Sequence, residues 1–173
     1  NGATELIYLI ARALRPKHTL IIQPTFTEYQ RSVELMNGAI AHAFLEKENH
    51  FHWNEAEILA GAKSAQLVFL CNPNNPTGGL IPIETLLALA KALPQTLIVV
   101  DEAFIEFLPD AEMHSIVCLI SRYPNLICLR SLTKLLAIPG LRLGYLVAQE
   151  GVIERLKAHK EPWTVNVVAQ AVG

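Results

Sequence analysis

"AQLVFLCNPNNPTGG", residues 65–79, runs through five consecutive apolar residues, Leu67 to Cys71, and then stops in asparagine, proline and glycine. A strand with water on one face alternates apolar and polar residues. A run without alternation is a strand covered on both faces, the mark of a parallel sheet between helices. The residues that end it supply turn geometry. The same shape recurs in "TLIVVDEAF" (96–104) and "NLICLRSLTK" (125–134), where apolar runs also end in polar side chains.

Outward from these runs, helical and extended segments alternate. Leu6, Ile7, Leu9, Ile10, Ala13 and Leu14 keep helical spacing until "RPKH" closes the element. "TLIIQP" predicts a buried strand, "FTEYQRSVELMNG" a helix ending at Gly38, and "AIAHAFLE" the next strand. Helices are expected over 54–63, from about Pro82 to Leu93, near 113–122 and from about Glu150, with a further strand at "RLGYLVA". The expected fold is α/β: a mostly parallel sheet sandwiched by helices, in one domain over residues 1–173.

Composition narrows the function. About half of the 173 residues are hydrophobic, 17% are charged and the formal net charge is -2. Lysine and arginine are scattered, so the footprint of a nucleic-acid binder is missing. No apolar run has the length of a membrane span. Three cysteines, Cys71, Cys118 and Cys128, form neither a CxxC pair nor an even set, which fits a reducing, cytoplasmic setting. His50 and His52 form an HxH in a polar loop with no third ligand at useful spacing, so no metal is expected. The chain begins at Asn1 and stops within the helical pattern "AQAVG", so it is expected to be part of something longer.

In sheets of this type ligands collect at the carboxyl ends of the strands. Asn75, Asp101, Ser131 and Lys134 follow three such ends, and Arg142 returns from the loop "LLAIPGLR". A carboxylate at the mouth of a buried strand needs a cation or hydrogen bonds to stay ionised. An ammonium among leucines is costly, so Lys134 is either a snorkelling surface lysine or a residue with a use.

"NPTG", "DEAF" behind a strand, "SLTK" behind another and an arginine eight residues beyond the lysine together resemble the fold-type I pyridoxal phosphate enzymes, the aspartate aminotransferase superfamily. The resemblance implies pyridoxal 5′-phosphate as cofactor and the large cofactor-binding domain of that fold, without its N-terminal arm and small C-terminal domain. It implies that Lys134 links covalently to the cofactor aldehyde and carries the proton, and that Asp101 pairs with the pyridine nitrogen. Asn75 would bond the phenolic oxygen and Phe26 of "PTFTEY" would stack on the ring. Ser131, Thr133, Arg142 and the backbone of Ala3 and Thr4 in "NGATE" would hold the phosphate.

Phe104 departs from the family's usual "DEAY", which loses one hydroxyl to the cofactor. "DEAF", "RSLTKLLAIPGLRLGYL" and "EPWTVN" resemble most the threonine-phosphate decarboxylases, which serve cobalamin synthesis, and next the histidinol-phosphate aminotransferases. A phosphorylated amino acid or amine is therefore the expected substrate, and a homodimer the expected state of the complete protein. The competing readings are weaker: a phosphate-binding module without catalysis lacks GxGxxG and GxxxxGK[ST] and leaves Lys134 and Asp101 without a task, and a serine hydrolase lacks GxSxG. An inactive domain with the same fold would not need both the lysine and the aspartate.

Overall fold

The apolar runs become β1 (His18–Gln23), β2 (Ala39–Phe44), β3 (Leu67–Cys71), β4 (Leu97–Asp101), β5 (Leu126–Ser131) and β6 (Gly144–Val147) in a computed structural model that describes residues 1–173. They form one sheet in the order β2-β1-β3-β4-β5-β6. The first five strands pair in parallel, and β6 returns antiparallel to β5. That reversal follows from the connection. Residues 132–143 hold only the one-turn helix α6 (Leu132–Leu135), too little for the helical crossover that a parallel return requires.

Along each central strand, successive side chains enter two different cores. Leu67, Phe69, Cys71, Val99, Ile127 and Leu129 pack under α1 (Ala3–Leu14), α2 (Glu28–Glu34) and α7 (Glu150–Lys157). Val68, Leu70, Ile98, Val100, Leu126 and Cys128 pack under α3 (Glu55–Ala62), α4 (Ile83–Ala92) and residues 116–120. Both parities are apolar because both faces are covered. The same parity continues past the apolar stretch, sending Asp101 and Ser131 to the α1 side and Glu102 and Arg130 to the other.

Two expected helices differ. The one near 113–122 is broken into α5 (Ala111–His114) and a 3-10 turn at Val117–Leu119, with Ser115 extended between them at φ -85 and ψ 139. The cause is the buried Glu102 carboxylate, which accepts hydrogen bonds from Ser115 Oγ (2.9 Å) and Ile116 N (2.8 Å) and draws the chain out of helical geometry. The helix expected to run to Gly38 ends at Glu34, and Asn37 takes the left-handed turn at φ 58. Gly38 is needed for space: a Cβ there would lie 2.7 Å from Pro16 O and from Val33 Cγ1. The chain ends in α8 (Val167–Val172). No helix is long and apolar enough to cross a membrane.

Candidate cofactor site

A cleft of about 430 Å³, partly open to solvent, lies across the carboxyl ends of β3, β4 and β5 and the first turn of α1. Six of the nine residues singled out in the sequence line it: Ala3, Thr4, Phe26, Asn75, Asp101 and Lys134. The other three, Ser131, Thr133 and Arg142, are placed beside it by contacts described below.

Asp101, the last residue of β4, is only 4% exposed. Its Oδ2 accepts a 2.8 Å hydrogen bond from Tyr29 Oη, and its Oδ1 accepts from Ala103 N at 3.0 Å. Burial pushes the carboxyl above the ordinary aspartate range; the two hydrogen bonds and the Lys134 charge pull against it. The carboxylate is therefore held in place while still lacking a full counter-charge.

Tyr29 carries no signal in the sequence that marks it for this position. It is fully buried, stacked on Phe69 at 4.9 Å between ring centroids and edge-on to Phe26 at 5.7 Å. Those two contacts fix the ring, so its hydroxyl points at Asp101 without a rotamer search. Cys71 completes this wall, and burial followed by the Asp101 charge pushes its thiol up to about 11. At neutral pH it is a neutral thiol and offers no thiolate to compete with the amine of Lys134.

Lys134 sits on α6, its Nζ 3.2 Å from Ser131 Oγ and 5.7 Å from the centroid of the Phe104 ring. The apolar surroundings expected from the sequence are not a buried shell. Lys134 is exposed at the cleft mouth, and Leu135 and Leu136, 46% and 50% exposed, turn outward with it. The ring of Phe104 gives the ammonium a cation–π contact, and no carboxylate pairs with it.

The "NPNNPTGG" loop sorts its asparagines by geometry. Asn72 Oδ1 accepts from Ile81 N, and Asn74 bonds Pro24 O, Thr77 and Thr25. Asn74 is consumed by the loop, and Asn72 is buried within it with its Nδ2 unpartnered. Asn75 makes no side-chain hydrogen bond to protein and lines the cleft, leaving its amide available.

At the other end, α1 begins at Gly2 without a side-chain cap, and the amides of its first turn are free. Ser131 pairs with Gly144 across the β5–β6 ladder, and Gly144 lies directly under Ala3 N. Ser131 Oγ and Thr133 Oγ1 are 2.8 Å apart, both buried. The Arg142 guanidinium lies against Gly2, braced by a 3.1 Å bond to Pro139 O. An uncapped helix N-terminus, an arginine and two hydroxyls thus meet at one corner, which is the donor set for a phosphate.

The whole chain, residues 1–173, matches the model of the family described as "Aminotransferase class I and II". The chain belongs to that family. Members of the class I and II aminotransferase family depend on pyridoxal 5′-phosphate. A threonine-phosphate decarboxylase of Salmonella typhimurium is 39% identical over 178 residues, covering 100% of this chain and 48% of its own length. A histidinol-phosphate aminotransferase of Shewanella oneidensis is 37% identical over 175 residues, covering 99% of this chain and 43% of its own. The crystal structure of the histidinol-phosphate aminotransferase from Clostridium acetobutylicum superposes with a TM-score of 0.90 at 32% identity, over 98% of this chain and 50% of that one. The chain spans about half the length of the curated relatives it matches.

The residues fit the family's cofactor. A buried carboxylate short of a cation, an unpartnered amide at Asn75 and the free amides of α1 are three polar needs around one cleft. A phosphorylated pyridine with a cationic ring nitrogen and a phenolic oxygen answers all three.

Proposed function

We propose that these residues form the cofactor end of a pyridoxal phosphate enzyme acting on a phosphorylated amino acid, with decarboxylation of threonine phosphate as the best-supported reaction. The observation that carries the reading is the placement of an amine at 134 and a buried carboxylate at 101 on the walls of one cleft, with a phosphate cradle beyond them. Support for the substrate comes from the 39% identical Salmonella typhimurium enzyme and from Phe104, which puts an apolar ring beside Lys134.

The cofactor, when bound, supplies an electron-poor ring that takes up the electron pair released at the substrate α-carbon. The protein supplies the rest. Asp101 would accept from the N–H of the pyridine ring, with its oxygens held by Tyr29 Oη and Ala103 N. Asn75 would donate to the phenolic oxygen, and Phe26 would cover the ring. Ser131, Thr133, Arg142, Ala3 N and Thr4 N would hold the phosphate. Lys134 Nζ would be the amine that holds the cofactor aldehyde and the base or acid that carries a proton at the substrate α-carbon. Which substrate bond breaks would be set by where the protein grips the substrate carboxylate and phosphate.

The phosphate corner has a steric signature. A Cβ at residue 144 would lie 2.6 Å from Ala3 N and 2.8 Å from Arg130 O, both backbone atoms that cannot swing away. Gly144→Ala is therefore expected to push the α1 N-terminus off β6. Overpacking of this kind costs about 1–3 kcal/mol, so affinity for pyridoxal phosphate should fall by roughly 5- to 150-fold by fluorescence titration.

The complete protein is proposed to be a homodimer working in the cytoplasm. Phe107, Leu135, Leu136 and Tyr145 are apolar and exposed in the single chain, as an interface between copies would require, and the three cysteines are unpaired. The reaction is tested on the complete, cofactor-loaded protein. Threonine phosphate should release carbon dioxide with no keto acid present. Histidinol phosphate with 2-oxoglutarate giving glutamate at a higher kcat/KM would replace decarboxylation by transamination.

A further inference from the structure

Directly beneath the cleft, on the other side of the sheet, lies a buried charged group with no contact to the cofactor site. Glu102 follows Asp101 and Arg130 precedes Ser131. Parallel register sets Asp101 opposite Leu129, so the next residues, Glu102 and Arg130, face each other across β4 and β5. Their side chains are 0% and 10% exposed, with Arg130 Nε 2.9 Å from Glu102 Oε2. Ser115 Oγ bridges them, donating to Glu102 at 2.9 Å and accepting from Arg130 Nη2 at 2.8 Å, while Ile116 N donates to Glu102 Oε1. Arg130 also pairs with the half-exposed Glu106.

The location matters because the two strands part here. The last backbone hydrogen bond between them is Glu102 N to Leu129 O, at 2.9 Å. The next amide, Ala103 N, turns away to Asp101 Oδ1, and Leu132 N turns to Leu143 O on the β6 side. Asp101 is thus the last ladder residue of β4, and beyond this point no backbone bond ties the Ser131–Lys134 turn to β4 at a set separation. Two buried charges are an expensive way to add stability alone, since an apolar pair of similar size packs as well or better.

We propose that Glu102 and Arg130 are positioning residues: their ion pair clamps the diverging ends of β4 and β5 and so sets the spacing between Asp101 and Lys134. The proposal rests on the cofactor-site reading above. A displacement of about 1 Å in such a constellation costs about 100-fold in rate.

In the complete, cofactor-loaded protein, Glu102→Gln is expected to lower kcat about 10- to 100-fold with KM changed by less than about twofold. In the cofactor-free protein, hydrogen exchange at the Glu102 and Ala103 amides should accelerate. Glu102→Gln leaves Arg130 buried without its main partner, so its melting temperature should fall as well. The double variant Glu102→Gln/Arg130→Met removes both charges and separates the two effects: its melting temperature should return toward wild type, while kcat stays low and the two amides stay fast. If kcat recovers along with stability, the pair only stabilises and the proposal is overturned. Should Glu102→Gln fail to fold, the double variant alone decides between these outcomes. An absorption band of lysine-linked cofactor that survives Lys134→Ala would remove the underlying site reading, whereas wild-type kcat in the double variant removes the clamp alone.

Discussion

Lys134→Ala in the complete protein is expected to abolish the absorption band of lysine-linked pyridoxal phosphate and to lower turnover by about 10⁴-fold, the upper range for losing a positioned proton carrier. The loss is this large because no neighbour can take over. Cys71, the other nucleophilic atom lining the cleft, is held as a neutral thiol by burial, with its pKa near 11, and its sulfur is engaged with Asn75 N and Pro73 O. Ser131 and Thr133 are hydrogen-bonded to each other. Lys134→Arg separates charge from nucleophilicity: a guanidinium preserves the positive charge at the cleft mouth but cannot shed a proton to become a nucleophile. It should retain cofactor binding through the phosphate corner and be as inactive as the alanine variant. Restoration of turnover by a small added amine in Lys134→Ala would strengthen the assignment. Retention of the band in either variant would end it.

Much of this site is legible in residue order because a covered parallel sheet writes its strands as unbroken apolar runs, and whatever polar residue ends a run is at the ligand edge. Asp101, Asn75 and Lys134 are visible that way, and the resemblance to the aminotransferase superfamily implies the roles proposed for them. The remainder depends on register and close approach. Tyr29 lies three residues after Phe26 in "PTFTEY", and nothing in that spacing tells which aromatic reaches the floor of the cleft. Asn72, Asn74 and Asn75 are alike in sequence and differ only in what the loop consumes. The pairing of Glu102 with Arg130 needs the β4–β5 register, and the broken helix at Ser115 follows from it. Gly144 reads as an ordinary strand glycine until α1 is found resting on it. The leucines after Lys134 read as a buried run, yet with one short helix and no covering element they face outward.

Asp101→Asn is expected to stabilise the cofactor-free protein while lowering kcat of the loaded enzyme by about 10²–10³-fold, a loss typical of removing one preorganised electrostatic contact. Both effects come from the same burial. Desolvation raises the Asp101 pKa in the folded protein, with the Tyr29 and Ala103 bonds offsetting only part of it. The native state thus holds this proton more tightly than the unfolded chain does. Stability contributed by the group is present below the unfolded aspartate value and is lost as pH rises through the raised folded value. Wherever the group ionises in the folded chain the cost of the buried charge is present, and asparagine, which does not titrate, avoids it. Its carbonyl can still accept from Ala103 N, and Tyr29 can turn its hydroxyl to accept from the amide. Each kcal/mol recovered raises the melting temperature by about 2–4 °C in a chain of this size. Thermal scans at acidic and neutral pH check the sign: wild type should lose stability across that interval relative to the variant, and the two should converge at low pH. Pyridoxal phosphate should reverse the order, because its ring N–H would give Asp101 a counter-charge that the protein's own side chains do not supply and would give asparagine nothing comparable. A variant less stable than wild type at neutral pH without cofactor would show that the carboxylate is already compensated within the protein, and the reason for placing a pyridine cation beside it would disappear.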